Sequence, residues 1–296
     1  MKEIIVVPIQ GFCKGVVHAI DKAKNVAKDP HYPRPIYVLG SLVHNRFVNE
    51  SLEDQGLIIL EAKNKTRLEL LDEIDQGTVI FTAHGVSPAV RQKAQEKHLE
   101  VVDASCPFVL STHRLISQNL EKGSTIFYCG KKGHPEAEGA TQGRSSIYLL
   151  ESIEDIPEGI EGDIFVTNQT TMSILDLQAL FQAIAKRYPQ ARFCDEICGA
   201  TRVRQNAVQK LAGQNIDLLI VIGDPHSNNT RKLAQIGEKA GIPNVYRIEN
   251  AESLKMHDPI LHQAKRIAIT SGASTPTYLK DQVIERLHII EAFVTR

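Results

Sequence analysis

CKGVVHAIDKA, residues 13–23, has two echoes further along the chain: CPFVLSTHRLI at 106–116 and CGATRVRQNAV at 198–208. In all three, a cysteine stands just before apolar residues at helical spacing. The cysteines are 93 and 92 residues apart, the regularity of three copies of one supersecondary unit. Two further landmarks keep step. A strand-like run enters a polar loop at YVLGSLVHN (37–45), FYCGKKGHPE (127–136) and IVIGDPHSNN (220–229). A second such junction follows at VIFTAHGVS (79–87), IFVTNQTTMS (164–173) and IAITSGASTP (267–276).

Val- and Ile-rich runs near residues 5, 37, 80, 102, 127, 165, 220 and 269 alternate with helical patterns, the habit of parallel βαβ units. The predicted class is α/β: three pseudo-threefold-related α/β domains forming a trefoil. Ligands of open parallel sheets gather at the carboxyl ends of strands, among loops and helix N-termini. Three units around one axis would aim three cysteines and six polar loops at one centre. The predicted boundaries are 1–104, 105–195 and 196–282, with 283–296 as a C-terminal extension.

Composition narrows the function. Hydrophobic content of 42% and charged content of 23% describe a globular protein. With 34 Lys+Arg against 35 Asp+Glu, the net charge of -1 gives no global field for nucleic acid or anionic membranes. No run approaches the roughly 18 apolar residues of a membrane span. The N-terminus lacks a secretory h-region, so the expected location is cytoplasmic. Five cysteines, an odd number, argue against a disulfide framework and for buried thiols, metal ligation or catalysis.

Cys13, Cys106 and Cys198, at equivalent points of three repeats, suit three irons of a cubane cluster whose fourth iron stays open as a Lewis acid. Cys129 and Cys194 have no repeat partner and read as buried structural thiols, although Cys194 lies close enough to Cys198 to be a ligand. Zinc is the competing metal, but its ligands usually come in close Cys pairs. The loops contribute His44, His84 and His134, with Thr170, Asn228 and Ser274 at matched junctions. Such neutral donors suit a phosphate or diphosphate. Glu136 is the one carboxylate among these landmarks and the natural proton donor. No dinucleotide or P-loop fingerprint occurs.

Taken in order, GFCKGVVHAI, LGSLVHN, FTAHGVSP, DASCP, GKKGHPEAEG, NQTTMS, ICGATRVRQ and GASTP resemble the LytB family of 4-hydroxy-3-methylbut-2-enyl diphosphate reductases over nearly the whole chain. The resemblance implies a trefoil of three α/β domains around one 4Fe-4S cluster. It implies reductive removal of the substrate hydroxyl with two electrons and two protons, giving isopentenyl and dimethylallyl diphosphate in the non-mevalonate pathway. By motif position, Cys13, Cys106 and Cys198 would bind the cluster, and Glu136 aided by Thr170 would deliver a proton. His44, His84, His134, Ser227, Asn228 and Ser274 would hold the diphosphate. Reduced ferredoxin or flavodoxin would supply electrons to a monomer.

Two positions depart from the family pattern. Gln10 replaces the usual Arg before GFC, and His226 stands where a substrate-contacting serine is expected. Three rivals remain open: a divergent paralogue acting on a related allylic substrate, a non-catalytic iron–sulfur redox sensor that keeps the cluster, and a zinc hydrolase on the same cysteines.

Overall fold

The computed structural model of the chain describes residues 2–62 and 64–294. The first elements are β1 (Glu3–Val6), α1 (Lys14–Lys28), β2 (Ile36–Leu39), α2 (Arg46–Glu53), β3 (Leu57–Leu60), α3 (Arg67–Leu70), β4 (Thr78–Phe81), α4 (Pro88–Glu96) and β5 (Glu100–Asp103). Then follow α5 (Pro107–Glu121), β6 (Thr125–Cys129), α6 (Pro135–Thr141), β7 (Ile147–Leu150), β8 (Ile164–Asn168), α7 (Ile174–Arg187) and β9 (Arg192–Phe193). The last are α8 (Gly199–Gln209), β10 (Leu218–Ile222), α9 (Asn228–Lys239), β11 (Val245–Ile248), α10 (Pro259–Gln263), β12 (Arg266–Ser271) and α11 (Thr277–Val294).

The strands form three parallel four-stranded sheets, ordered β3-β2-β4-β5, β7-β6-β8-β9 and β1-β12-β10-β11. Two compact units contain them: Lys14–Cys198 holds the first two sheets, and Met1–Cys13 with Gly199–Arg296 holds the third. Central strands such as TVIF of β4 and LLIVI of β10 are buried throughout, because helices cover both faces of a parallel sheet. Each helix answers with one apolar face. On α1 this is Val16, Ala19, Ile20, Ala23, Val26 and Ala27, at the spacing that puts them on one side. In the first sheet the core gathers Leu39, Leu70, Ile74, Val79, Phe81 and Val90, each large side chain stabilising by roughly 1.5–3 kcal/mol on burial. Side-chain caps fix the helix starts: Ser87 Oγ accepts from Val90 N before α4, and Ser173 Oγ from Asp176 N before α7.

Strand order explains why the polar loops matter. In the first two sheets the chain leaves the two central strands in opposite directions, so the loops at their carboxyl ends part at a topological switch point; in the third, β10 leads outward to β11, and β1 fills the edge beside β12. The loops at the carboxyl ends of the central strands are 40–45 and 82–87 in the first sheet, 130–134 and 169–173 in the second, and 223–227 and 272–276 in the third. These are the six loops of the sequence repeat.

Two predicted boundaries require correction. β1 lies outside the sheet of residues 14–104 and pairs with β12, Glu3 against Arg266 and Val6 against Ile269. In the other sheets the edge beside β4 or β8 is filled by the strand that precedes the next cysteine, β5 or β9. The third repeat has no following cysteine, so the strand before Cys13 closes it. Nor does an extension begin at 283, because α11 continues unbroken from Thr277 and buries Leu279, Val283, Leu287 and Ile290. Residues 295–296 of the predicted extension lie outside the described residues.

Gly77 sits at the turn into β4 with φ +105°, and a Cβ there would lie 2.2 Å from Pro35 O. Gly77→Ala is therefore expected to lose about 3 kcal/mol of stability, whereas Gly143→Ala, with open space around a positive φ, loses about 1 kcal/mol. Urea midpoints of the two variants check this; equal midpoints would contradict it.

Candidate functional site

Within Lys14–Cys198, the loops after β2, β4 and β6 bring three imidazoles together. The ring centroids of His44 and His84 are 4.4 Å apart, those of His44 and His134 5.2 Å, and those of His84 and His134 5.6 Å. His44 directly precedes Asn45, which caps α2 by accepting from Val48 N. His134 caps α6: its Nδ1 accepts from Glu136 N at 3.1 Å. An accepting Nδ1 leaves the ring proton of neutral His134 on Nε2, as a donor. Burial, followed by the nearby His44, His134 and Arg67, holds His84 well below the ordinary histidine range, hence neutral. The loops thus bring three imidazoles together, His84 held neutral by burial and His134 with its ring proton on Nε2.

Glu136, on the first turn of α6, is 2% exposed. Its Oε1 accepts from Thr170 N at 2.7 Å and its Oε2 from Thr170 Oγ1 at 3.0 Å. Burial pushes the carboxyl up to about 7, against the opposing pull of the two Thr170 hydrogen bonds. That value suits a proton donor near neutrality. Tyr128, fully buried on β6, is also pushed up, by burial and then by Glu136 and Cys129.

In the other unit, Ser227 caps α9 by accepting from Thr230 N. Asn228, 2% exposed, accepts from Arg231 Nη2 through Oδ1 at 3.0 Å, and Ser274 is 8% exposed in the loop after β12. All three lie at the carboxyl ends of β10 and β12. His226 is exposed, and its backbone N–H donates to Asp224 Oδ1. Gln10 links the ends of β1 and β12, donating through Nε2 to Val7 O at 2.5 Å and accepting from Ser271 Oγ at 2.7 Å.

Each repeat cysteine makes the same backbone hydrogen bond. Cys13 N donates to Ala273 O at 3.0 Å, Cys106 N to Ala83 O at 3.0 Å and Cys198 N to Thr170 O at 3.1 Å. The acceptors belong to the loops after β12, β4 and β8, the same loop of each sheet. All three cysteines are half-buried, outside any disulfide, and directly precede a helix. The two others differ. Cys129 is buried in the core and pushed up by burial. Cys194, predicted to be buried, is half-buried, because it follows edge strand β9; its Sγ donates to Glu196 Oε1 at 3.3 Å, and it is pushed up to about 11, first by burial.

The sequence model of the LytB protein family matches residues 4–288. The chain belongs to the LytB family. Among curated LytB relatives, it is 46% identical over 288 residues to the 4-hydroxy-3-methylbut-2-enyl diphosphate reductase of Geobacillus sp. (strain WCH70), covering 96% of this chain and 90% of that protein. It is 47% identical over 291 residues to the enzyme of the same name from Symbiobacterium thermophilum, covering 96% of each. A solved E-1-hydroxy-2-methyl-but-2-enyl-4-diphosphate reductase from Plasmodium falciparum superposes with a TM-score of 0.86 at 29% identity, over 96% of this chain and 87% of that one.

The thiols of this LytB chain fit the cluster implied by the family: a set of three, half-buried, outside disulfides and held by one repeated backbone bond. Among the described residues, no three His, Cys, Asp or Glu side chains converge on a single ion. A cubane asks for a different arrangement, since each thiolate binds a separate iron. Sequence reasoning missed Arg67 and Glu138, which lie beside the histidines and have no repeat partner to flag them.

Proposed function

We propose that this chain is a 4-hydroxy-3-methylbut-2-enyl diphosphate reductase, the activity that names its relatives. The observation that carries the reading is the three-histidine cluster next to a buried, raised carboxyl, at loops of the same sheets that pin Cys106 and Cys198. The reaction breaks the allylic C–O bond. The hydroxyl leaves as water, two electrons and two protons enter, and isopentenyl or dimethylallyl diphosphate remains.

Cys13, Cys106 and Cys198 would hold a 4Fe-4S cluster, which supplies the electrons and an open Lewis-acidic iron. The remaining work falls to the chain. His44, His84 and His134 donate N–H groups to diphosphate oxygens, joined by Ser227, Asn228 and Ser274. Thr170 holds both oxygens of Glu136 and so fixes the direction of its proton, and Glu136 in its acid form protonates the leaving hydroxyl. Reduced ferredoxin or flavodoxin is the electron donor this chemistry calls for, from a cytoplasmic pool. Among the described residues, no helix is long and apolar enough to cross a membrane.

The test is anaerobic. Reconstituted protein is mixed with the allylic diphosphate and reduced methyl viologen, and bleaching of the viologen is followed. Two viologens oxidised per substrate consumed is the expected result; no bleaching above the substrate-free control would overturn the reading.

A further inference from the structure

Arg67 is a buried guanidinium outside the sequence repeat. Its side chain is 7% exposed, and that of Glu138, its ion-pair partner at 3.4 Å, 23%. Both Glu138 oxygens are engaged: Oε1 accepts from Arg67 N at 2.9 Å and Oε2 from Arg67 Nη1. Nε of the same guanidinium donates to Leu39 O, at the end of β2. Room for it comes from Gly40, φ +91°, where a Cβ would stand 3.2 Å from Nη2. Gly40 opens the loop that carries His44, and Glu138 lies one turn after His134, donating from its backbone to His134 O at 2.9 Å. The pair therefore joins the end of β2 to α6, the helix that carries His134 and Glu136. Nearby, α6 is seated on the His84 loop through Gly139, whose Cβ would lie 3.2 Å from Gly85 O, and through Ser87 Oγ donating to Gln142 Oε1.

We propose that Arg67 and Glu138 are positioning residues, a buried clasp that sets α6 in register with the His44 and His84 loops and so fixes the spacing of the three imidazoles. As a contribution to turnover, the inference rests on the functional reading above; as a statement about histidine geometry, it stands apart. Burying an ion pair is poor evidence of a stability role, since replacing both partners by apolar groups is often neutral, while removing one strands a buried charge. A clasp retained for register has to be separated from stability, and the double variant does so.

The experiment uses full-length, anaerobically prepared protein as wild type, Arg67→Met, Glu138→Met and the double variant. Each is followed by thermal melting, by imidazole ¹H–¹⁵N NMR and by steady-state kinetics. The single variants are expected to melt lower, and the double variant to regain most of the wild-type Tm. In the double variant, the three imidazole signals nonetheless shift, while the Nδ1-acceptor pattern of His134, which belongs to the cap of α6 itself, is kept. Its kcat falls about 10²-fold, the scale of a misplacement of roughly 1 Å, with a smaller change in KM. A double variant that regains its Tm with wild-type imidazole signals would overturn the clasp. Shifted signals in a protein whose wild type never consumes the allylic diphosphate would uphold the clasp and remove the functional reading instead.

Discussion

Glu136→Gln protein folds, binds the diphosphate substrate and turns it over more slowly by a factor on the order of 10² or more. Glutamine mimics the protonated acid in shape: its oxygen still accepts from Thr170 N, and its amide donates to the Thr170 hydroxyl in place of accepting. Only the transferable proton is lost. The pH behaviour follows from the same carboxyl, pushed by burial from 4.5 to about 7. Below that value Glu136 holds its proton and can donate it; above it the group is ionised. Wild-type turnover therefore falls as pH rises through about 7, while the residual rate of the glutamine variant lacks this step. Stability moves with it. A folded-state value above the unfolded one means that the folded protein binds the proton more tightly, so wild-type stability is lost between about 4.5 and 7 as pH rises. At pH 8 the glutamine variant should be more stable than wild type by on the order of 3 kcal/mol, and at pH 4 the two should match. Urea titrations at the two pH values measure the difference. An offset that does not change with pH would remove the buried carboxylate from this account.

Cys106→Ala protein, purified without air, is expected to lose its brown colour, to fall well short of about four irons per chain and to have only background turnover. Cys13→Ala and Cys198→Ala should behave alike, since the same backbone bond holds all three cysteines. Cys194→Ala is the control: its thiol is half-buried and occupied with Glu196, and its iron content should match wild type. Iron and sulfide analysis with visible spectra checks the series. Full iron in Cys106→Ala, or iron lost equally in Cys194→Ala, would contradict the ligand assignment.

The repeat was readable because evenly spaced cysteines and loops leave a period in the sequence, and the three sheets with their polar loops follow that period. The pairing of β1 was not. A four-residue edge strand carries no mark of its partner, and β12 lies some 260 residues away; only the absence of a fourth cysteine hinted that the third sheet needed a strand from the other end. The histidines were legible from their matched loops, and Glu136 from its place in GHPE. Its raised carboxyl was not legible, because that depends on burial around α6, which no local pattern encodes. Arg67 was hidden for a related reason. An arginine in a charged stretch reads as solvated surface, and only the glycine at 40 and the carboxylate at 138 make a buried place for it.

The family and the site converge on a reduction that removes a hydroxyl and spares the diphosphate. The most direct test is ¹³C NMR of labelled 4-hydroxy-3-methylbut-2-enyl diphosphate incubated with cluster-loaded protein and a low-potential reductant. The expected result is loss of the hydroxymethyl carbon signal and growth of isopentenyl and dimethylallyl diphosphate signals, dependent on the reductant. Unchanged substrate, or release of inorganic diphosphate with the hydroxyl still in place, would contradict it.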